Sequence, residues 1–559
     1  MELKRLSGLL RFWPWLAAIA SGILYTGCFA PFNFAWLCWI ALTPLIAAIW
    51  FSGETFRHRW LRNLLLGYVT GLTFFWTAFS WLTTVTVLGW FVLQFYMAIY
   101  FALWAWFCGL VQPRERKKES SSTKWDRMLA QARSGAAPSR SPWIRSTNNL
   151  LLAFLLAAAW VTQEWLRGWV FSGFGWNGLG VVLHGTWPLI QIAEFTGVAG
   201  LSFMVAFANV IAVTTVRRLI LEARTRTVRP HFDLTLTLAA VVGVLAFGIR
   251  ATQVSPPTKP LRVAAVQSNV PQNQKFDPQF TRKIFDQFRR LSEIALRSNP
   301  PPDLLIWPES SMPGPVLADR ESYQFVMDLA ASSEVDILLG TIDEENGGVY
   351  NAALLVSDGG ERVQAYRKLH LVPFGEYVPG RRRVPLLARI VGDQVPGDFK
   401  AGSDHTVFEL TNSEVRVAPL ICFEDTIGEL TRQFVLPNDG NPGANLLVDI
   451  TNDGWFLHSA GSHQHLANAI FRCVETRRPM VRAANTGVTC FVNEFGRVTQ
   501  KLQDDTGSTF TEGVLTGDVK VPTEHELTFY TRHGELFAKG CAAVTVIAIL
   551  AIFALRRKL

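Results

Sequence analysis

Charge is scarce in this chain of 559 residues: Asp, Glu, Lys and Arg together make up 18%, against 49% hydrophobic residues. The shortage is uneven. It is concentrated in the first 250 residues and the last 25, while the middle has the composition of an ordinary soluble domain. A chain of this length exceeds one typical core, and the partition describes a membrane-embedded part joined to a globular one. Paired cysteines are missing as well. The seven cysteines form no Cys-x-x-Cys and no zinc-ligand spacing, so no metal site is expected. Cys28, Cys38, Cys108 and Cys541 lie in apolar segments as packing residues; Cys422, Cys473 and Cys490 belong to the globular part, where a bridge between the last two stays open. There is no internal repeat and no phosphate-binding glycine loop, because Gly175–Gly180 follows no strand. The net charge is +8, but the basic residues cluster between apolar segments, which makes them topology signals and excludes nucleic acid as an expected partner.

Spanning helices need roughly 20 mainly apolar residues. The apolar runs predict eight, at about 12–29, 34–51, 63–83, 88–111, 150–168, 190–215, 233–250 and 536–555. The first is read as an uncleaved span, since others follow at once. An even number puts both termini on one side. Basic residues precede the first span (Lys4, Arg5, Arg11) and follow the second (Arg57, Arg59, Arg62) and the sixth (Arg217, Arg218, Arg224, Arg226, Arg229). More fill the gap after the fourth, from Arg114 to Arg145, and Arg556, Arg557 and Lys558 end the chain. The alternate connections, around Pro31, around Leu88 and across 169–189, carry no charged residue. The positive-inside rule then predicts cytoplasmic termini and places residues 252–535 in the periplasm of a Gram-negative cell, anchored in its inner membrane. The expected domains are a seven-helix transmembrane domain over 1–251, a globular domain over 252–535 and a C-terminal span over 536–559. The Ser-, Arg- and Lys-rich loop 113–149 is expected to be disordered. The connection 169–189, with Trp169, Phe171, Phe174, Trp176 and Trp187, suits the membrane interface, as an aromatic belt or as a wall admitting lipid.

Past Pro256-Pro257, strand and helix patterns alternate. Strands are predicted at Leu261–Gln267, Asp303–Ser310, Val335–Thr341, Tyr350–Ser357 and Asn445–Ile450, with helices at 278–298 and 320–332. Such alternation argues α/β layers about a large central sheet. The run Val415–Ile421 reads as a strand buried on both faces that stops on Cys422, followed by Phe423 and Glu424. Two other strand ends or loops offer an acid in Trp307-Pro308-Glu309 and a cation in Arg367-Lys368-Leu369-His370. Taken singly, each is more often structural: a buried thiol, a capping acid, a solvated ammonium. Together they suit acyl transfer. A thiol is only slightly ionised near neutrality and needs a base such as Glu309 to take its proton. The oxyanion made when Cys422 attacks a carbonyl needs a dry positive charge such as Lys368, whose removal commonly raises the barrier by about 3 kcal/mol. The same ammonium favours the thiolate.

In this order and with these flanking residues, Glu309, Lys368 and Cys422 resemble the Glu-Lys-Cys triad of the nitrilase superfamily. With eight spans attached, the whole chain is similar to its membrane-embedded branch, the apolipoprotein N-acyltransferases. The resemblance implies a membrane α-helical bundle of eight transmembrane helices plus an α/β nitrilase-like α-β-β-α sandwich domain. It implies a ping-pong reaction: an acyl chain passes from the sn-1 position of a phospholipid to Cys422 as a thioester, then to the N-terminal amine of a diacylglyceryl-cysteine apolipoprotein. No cofactor is implied, and a monomer is expected. Glu376, in Pro373-Phe374-Gly375-Glu376, and Glu424 match supporting acids of the family; Phe423 stands where a Tyr is frequent. Trp455, in Thr451-Asn452-Asp453-Gly454-Trp455, resembles a loop beside acyl-chain space, its plain alternative being a core aromatic. Arg482–Gly487 matches a segment expected to close the sheet. His458, His463 and His465 read as ordinary polar residues, since an i,i+2 pair does not share a helix face. Two other functions were weighed. A membrane-tethered amidase acting on small soluble amides shares the fold but has no use for an apolar outer loop. A transporter wants ionisable residues at mid-membrane, whereas Glu164 and Arg167 lie near a span's end.

Overall fold

Glycines four residues apart set how closely the first long helices pack. A Cβ on Gly67 would lie 2.4 Å from Ala105 Cβ and from the Phe101 carbonyl oxygen, and one on Gly71 would lie 2.8 Å from Ala98 Cα. Helices Arg59–Ala78 and Val87–Val111 therefore meet backbone to backbone, the small-residue packing that membrane helices use where apolar burial alone drives no association. The computed structural model describes residues 12–52, 58–112, 141–226, 229–378, 398–411, 413–438, 440 and 442–557. It divides the chain into two units. One comprises Met1–Leu183, Val198–Ile249 and Leu536–Leu559; the other comprises His184–Gly197 and Arg250–Glu535.

The first unit is helical, and the protein is a multi-pass membrane protein. Among the described residues, five helices are long and apolar enough to cross a membrane: Val87–Val111, Pro142–Arg167, Val198–Thr225, Phe232–Ala251 and Leu536–Arg556. The other apolar windows give shorter or more polar elements. Trp13–Gly27 has 15 residues; 34–51 divides into a 3-10 turn, Ala35–Trp39, and a helix, Thr43–Phe51, restarted at Pro44; Arg59–Ala78 opens on arginines. The window 190–215 began too early. The helix starts at Val198, after Gly197 at φ +63°, and residues 187–196 form two single turns assigned to the other unit. Part of the charged loop expected to be disordered is helix instead. Residues 113–140 lie outside those described, but 142–149 is helix, begun by Ser141 and Pro142. Its polar residues have partners. Ser146 and Asn149 donate to Asp233, which also pairs with Arg218 at 2.9 Å, so a buried carboxylate collects three donors.

The second unit holds two mixed six-stranded sheets, as the α-β-β-α sandwich of the resemblance implies, where the strand pattern alone suggested one large central sheet. The first contains β1 (Thr258–Gln267), β2 (Leu304–Ile306), β3 (Asp336–Glu345), β4 (Gly348–Ser357), β5 (Arg362–Arg367) and, paired with β1, β12 (Gly513–Pro522). The second contains β6 (Phe408–Glu409), β7 (Arg416–Ile421), β8 (Leu446–Thr451), β9 (Met480–Ala484), β10 (Cys490–Val492) and β11 (Val498–Lys501), in that spatial order. β1, β2 and β3 run parallel, as do β7, β8 and β9. Two sheets form because the central strands are apolar on both faces. β7, β8 and β9 are buried almost throughout, so each needs cover above and below. One side of each sheet meets the other, β1 against β9 and β4 against β7. The remaining sides take helices. Thr281–Leu296 and Arg320–Ser333 bury Phe285, Phe288 and Val326 on the first sheet, around Trp307. Gly428–Val435 and Gly461–Thr476, buried except at His463, cover the second. The segment Arg482–Gly487 does not close the sheet: β9 lies inside it, flanked by β8 and β10. Cys473 and Cys490 are free and buried.

Candidate active site

The parallel strands bring their C-terminal ends to one side, where loops replace regular pairing. β5 shares that direction, being antiparallel to β4, which is antiparallel to β3. Glu309 follows β2, Lys368 follows β5, Cys422 follows β7 and Trp455 follows β8. Three exits carry positive φ on residues other than glycine: Asn269 at +51°, Ser310 at +47° and Cys422 at +55°. L-residues enter this region at a cost, and such strain gathers where side chains are aimed for chemistry.

Glu309 is buried, and Gly340 of β3 lies so close beneath it that a Cβ there would stand 2.6 Å from Glu309 Cα. Its Oε1 accepts from Asn351 Nδ2 at 2.7 Å and lies 3.9 Å from Lys368 Nζ, while its main-chain oxygen accepts from Lys275 Nζ at 2.6 Å. Lys368 is buried to 1% and pairs with Glu376 Oε1 at 2.9 Å. Burial works against the ammonium, but Glu376 and Glu309 outweigh it and hold Lys368 charged well above the ordinary lysine range. Glu376 Oε1 also accepts from Asn351, and Oε2 takes the Val372 amide at 2.7 Å, so this acid both pairs the lysine and anchors its turn.

Cys422 is half-buried and opens a 3-10 turn, Cys422–Thr426. Burial and the Glu309 charge push its thiol up; Lys368 and a hydrogen bond from the Thr451 side chain pull it down. Glu424 is fully buried and ties two loops together. Its Oε1 accepts from the Leu369 and His370 amides at 2.7 and 3.0 Å, its Oε2 from the Ile421 amide at 3.0 Å, and both accept from Tyr366 OH. The loop of Lys368 and the turn of Cys422 are thereby fixed to one carboxyl, pushed up to about 7 by its burial. Phe423 is buried and stacks on the His370 ring at 5.8 Å. Trp455 is exposed in the turn Asp453–Phe456 and is not the core aromatic that was its plain alternative. Trp176 belongs to the helical unit, buried against Trp81 and Phe174.

Behind Cys422 lies a buried charge cluster that sequence patterns missed. His465 was expected to be an ordinary polar residue, but its two ring nitrogens sit 2.9 Å from Asp425 and 2.9 Å from Asp453. Arg482 pairs with Asp449 at 3.1 Å and Asp453 at 3.1 Å. Burial opposes His465, yet Asp425 and Asp453 push it up to about 9; Arg482 and His465 together carry Asp453 down to about 2. Burial and Asp425 raise Asp449 well above the carboxylate range, against the pull of Arg482. The signal was present in the pattern. Asp449 and Arg482 interrupt apolar strands covered on both faces, where a charge must find a partner, and the β8–β9 register sets them opposite each other. Asn351 similarly interrupts the apolar run of β4. Lys275, in the polar turn after β1, had no comparable signal.

This two-sheet sandwich, with its acid, lysine and cysteine at strand ends, defines a carbon-nitrogen hydrolase domain, and residues 262–527 match that family. Residues 21–211 match the apolipoprotein N-acyltransferase N-terminal domain. The chain is 34% identical to an apolipoprotein N-acyltransferase of Geobacter metallireducens over 97% of this chain and 96% of the relative. It is 31% identical to one from Methylococcus capsulatus over 86% of each. A solved CN-hydrolase superfamily protein from Xanthomonas campestris superposes with a TM-score of 0.36 at 18% identity, over 47% of this chain and 91% of that one. The chain belongs to the apolipoprotein N-acyltransferase family.

Proposed function

We propose that this acyltransferase matures lipoproteins in two half-reactions through Cys422. The Cys422 thiolate, its proton taken by Glu309, attacks the sn-1 ester carbonyl of a phospholipid. Lys368 faces the developing oxyanion, and the tetrahedral centre collapses as Glu309 returns the proton to the departing glycerol oxygen. Lysophospholipid leaves. The free amine of a diacylglyceryl-cysteine then attacks the thioester, giving its proton to Glu309 as the thiolate departs. Glu376 keeps Lys368 charged and in place, Glu424 fixes both loops, and Phe423 and Trp455 flank the acyl path. Trp176 is assigned to the packing behind a lipid-entry wall of the helical part, where it is buried on Trp81 and Phe174.

The observation that carries this reading is the approach of Lys368 Nζ to two carboxylates, 2.9 Å from Glu376 and 3.9 Å from Glu309, at the strand end neighbouring the Cys422 thiol. A lipid substrate is favoured over a soluble amide by exposed apolar side chains on the loops leaving these strand ends: Phe276, Leu317, Phe374, Trp455 and Leu457. The alternation of basic and uncharged connections supports eight spans: seven over 1–251 and one over 536–559, with both termini cytoplasmic. The domain over 252–535 then faces the periplasm from the inner membrane of a Gram-negative cell, and the enzyme acts as a monomer. The test is intact mass after incubation with a defined phospholipid, followed by a diacylglyceryl peptide. One acyl mass should appear on Cys422 and then pass to the peptide amine. Undiminished peptide acylation by Cys422→Ala would remove the thiol from the reaction.

A further inference from the structure

We propose that Lys275 is a second cation of this site, a positioning residue that holds Glu309 by its main-chain carbonyl and sets how readily the Cys422 thiol ionises. The inference rests on reading Cys422 as the nucleophile.

A lysine is seldom fully buried unless something pairs with it. Lys275 is 3% exposed, in the turn between β1 and Thr281–Leu296, and its Nζ donates at 2.6 Å to the Glu309 main-chain oxygen. That bond acts on strained backbone, since the next residue, Ser310, has φ +47°. The Ser311 amide donates to the Gly340 oxygen at 2.8 Å and its hydroxyl to Pro308, so donors on both sides pin the turn that aims Glu309.

Charge balance gives the second role. Glu309 and Glu376 bring two negative charges, and Lys368 offsets one of them. Without Lys275 the site is already negative before any proton leaves sulfur, and Glu309 opposes the thiolate. The charged groups that Lys275 feels are Glu309, beyond β2, and Cys422, beyond β7; burial draws its ammonium down to about 8 against their pull. The two lysines thus divide the work. Lys368, tightly paired with Glu376, keeps its charge throughout, whereas Lys275 sits where its charge is easily lost, and that loss raises the thiol.

The experiment is the rate of Cys422 alkylation by iodoacetamide in the full-length protein in detergent, from pH 5.5 to 10, with no lipid present. Cys422→Ala supplies the blank for the other six cysteines. Lys275→Met, which keeps the stem and removes the charge, should slow alkylation at pH 7.5 by about tenfold, the equivalent of one pKa unit, and move the alkylation midpoint upward. Lys275→Arg should restore most of the rate. Lys275→Gln keeps a donor for the Glu309 carbonyl without the charge and should show the same midpoint shift, which covers the case in which the Met variant fails to fold. Profiles that superpose on the unsubstituted protein's in both neutral variants overturn the proposal, even if acyl transfer falls. Because alkylation needs no lipid, an unsubstituted protein that alkylates as described but never forms a thioester would sink the acyl-transfer reading and leave this one standing.

Discussion

Lys368 Nζ lies 2.9 Å from Glu376 Oε1, a full ångström closer than to Glu309 Oε1 at 3.9 Å. Glu309, at 3.9 Å, is held loosely by the ammonium and more closely by Asn351, a neutral donor. A proton carrier must not be locked to a permanent cation, so the asymmetry fits the proposed roles of Glu309 as base and Glu376 as anchor. Glu309→Gln should therefore slow thioester formation from phospholipid by about 10²–10⁴. Lys368→Met should cost about 10²–10³, and Glu376→Gln less than either, because Lys368 survives there with a weaker partner. Single-turnover mass measurements rank the three; a Glu376→Gln loss larger than that of Glu309→Gln would reverse the assignment.

Glu424 is the joint between the loop of Lys368 and the turn of Cys422, and no neutral amide reproduces it. Three backbone amides and the Tyr366 hydroxyl all donate to it, so Glu424→Gln must aim its new NH₂ at a donor. The expected destabilisation is about 1–3 kcal/mol, read as a shift in the denaturation midpoint of the detergent-solubilised protein. Its folded carboxyl is raised to about 7, so the stability it contributes is complete below the unfolded carboxyl's range. That stability is lost as pH rises toward 7. The Gln variant should lack this part of the pH dependence.

The cluster around His465 titrates at the other end of the scale. His465 is raised to about 9, so its contribution is complete below the unfolded imidazole value near 6.5 and is lost as pH rises through 9. Asp453 is lowered to about 2, so its share is present above the unfolded carboxyl value and is lost as pH falls toward 2. Thermal unfolding should therefore show the His465 contribution intact below about 6.5 and an alkaline fall between about 6.5 and 9 that His465→Gln removes. The two-and-a-half-unit displacement of His465 sets the alkaline loss on the order of 3 kcal/mol at most. A fall of the same size in the Gln variant would place its origin elsewhere.

The sequence showed clearly what repeats and what is local. β1, β3, β4 and β8, both helices on the first sheet and the residues Glu309, Lys368 and Cys422 were all visible as apolar runs ending on polar atoms. What failed was set by tertiary partners. The helix expected from 190 begins at Val198, because Gln191 and Glu194 turn away to Arg477 and Gly197 takes a left-handed conformation. Residues 142–149 looked like loop because Asp233, which satisfies their side chains, lies more than eighty positions away. The strand pattern alone suggested one large sheet, where the resemblance implied two, because apolar strands say that both faces are covered without saying by what. Lys275 was missed for the same reason: nothing in a polar turn announces that its lysine points inward.

Trp455, on the loop after β8, which neighbours the strand ending at Cys422, and Phe374, on the loop that carries Lys368, are exposed. Large aromatic side chains left in water beside a reacting group gain most when an acyl chain covers them, by about 1.5–3 kcal/mol for a full side chain. If they receive lipid, Trp455→Ala should lower the rate on phospholipid in mixed micelles by about tenfold, since 1.4 kcal/mol is a factor of ten. A short-chain phospholipid kept below its micellar concentration offers little tail to cover the ring, and its rate should change by less than about twofold. Phe374→Ala should show the same split more weakly, since its ring is smaller. Equal losses on the two substrates would mean that these rings shape the turns around Cys422 and Lys368 rather than meet the chain, and the preference for a lipid over a soluble amide would then have to come from the helical part alone.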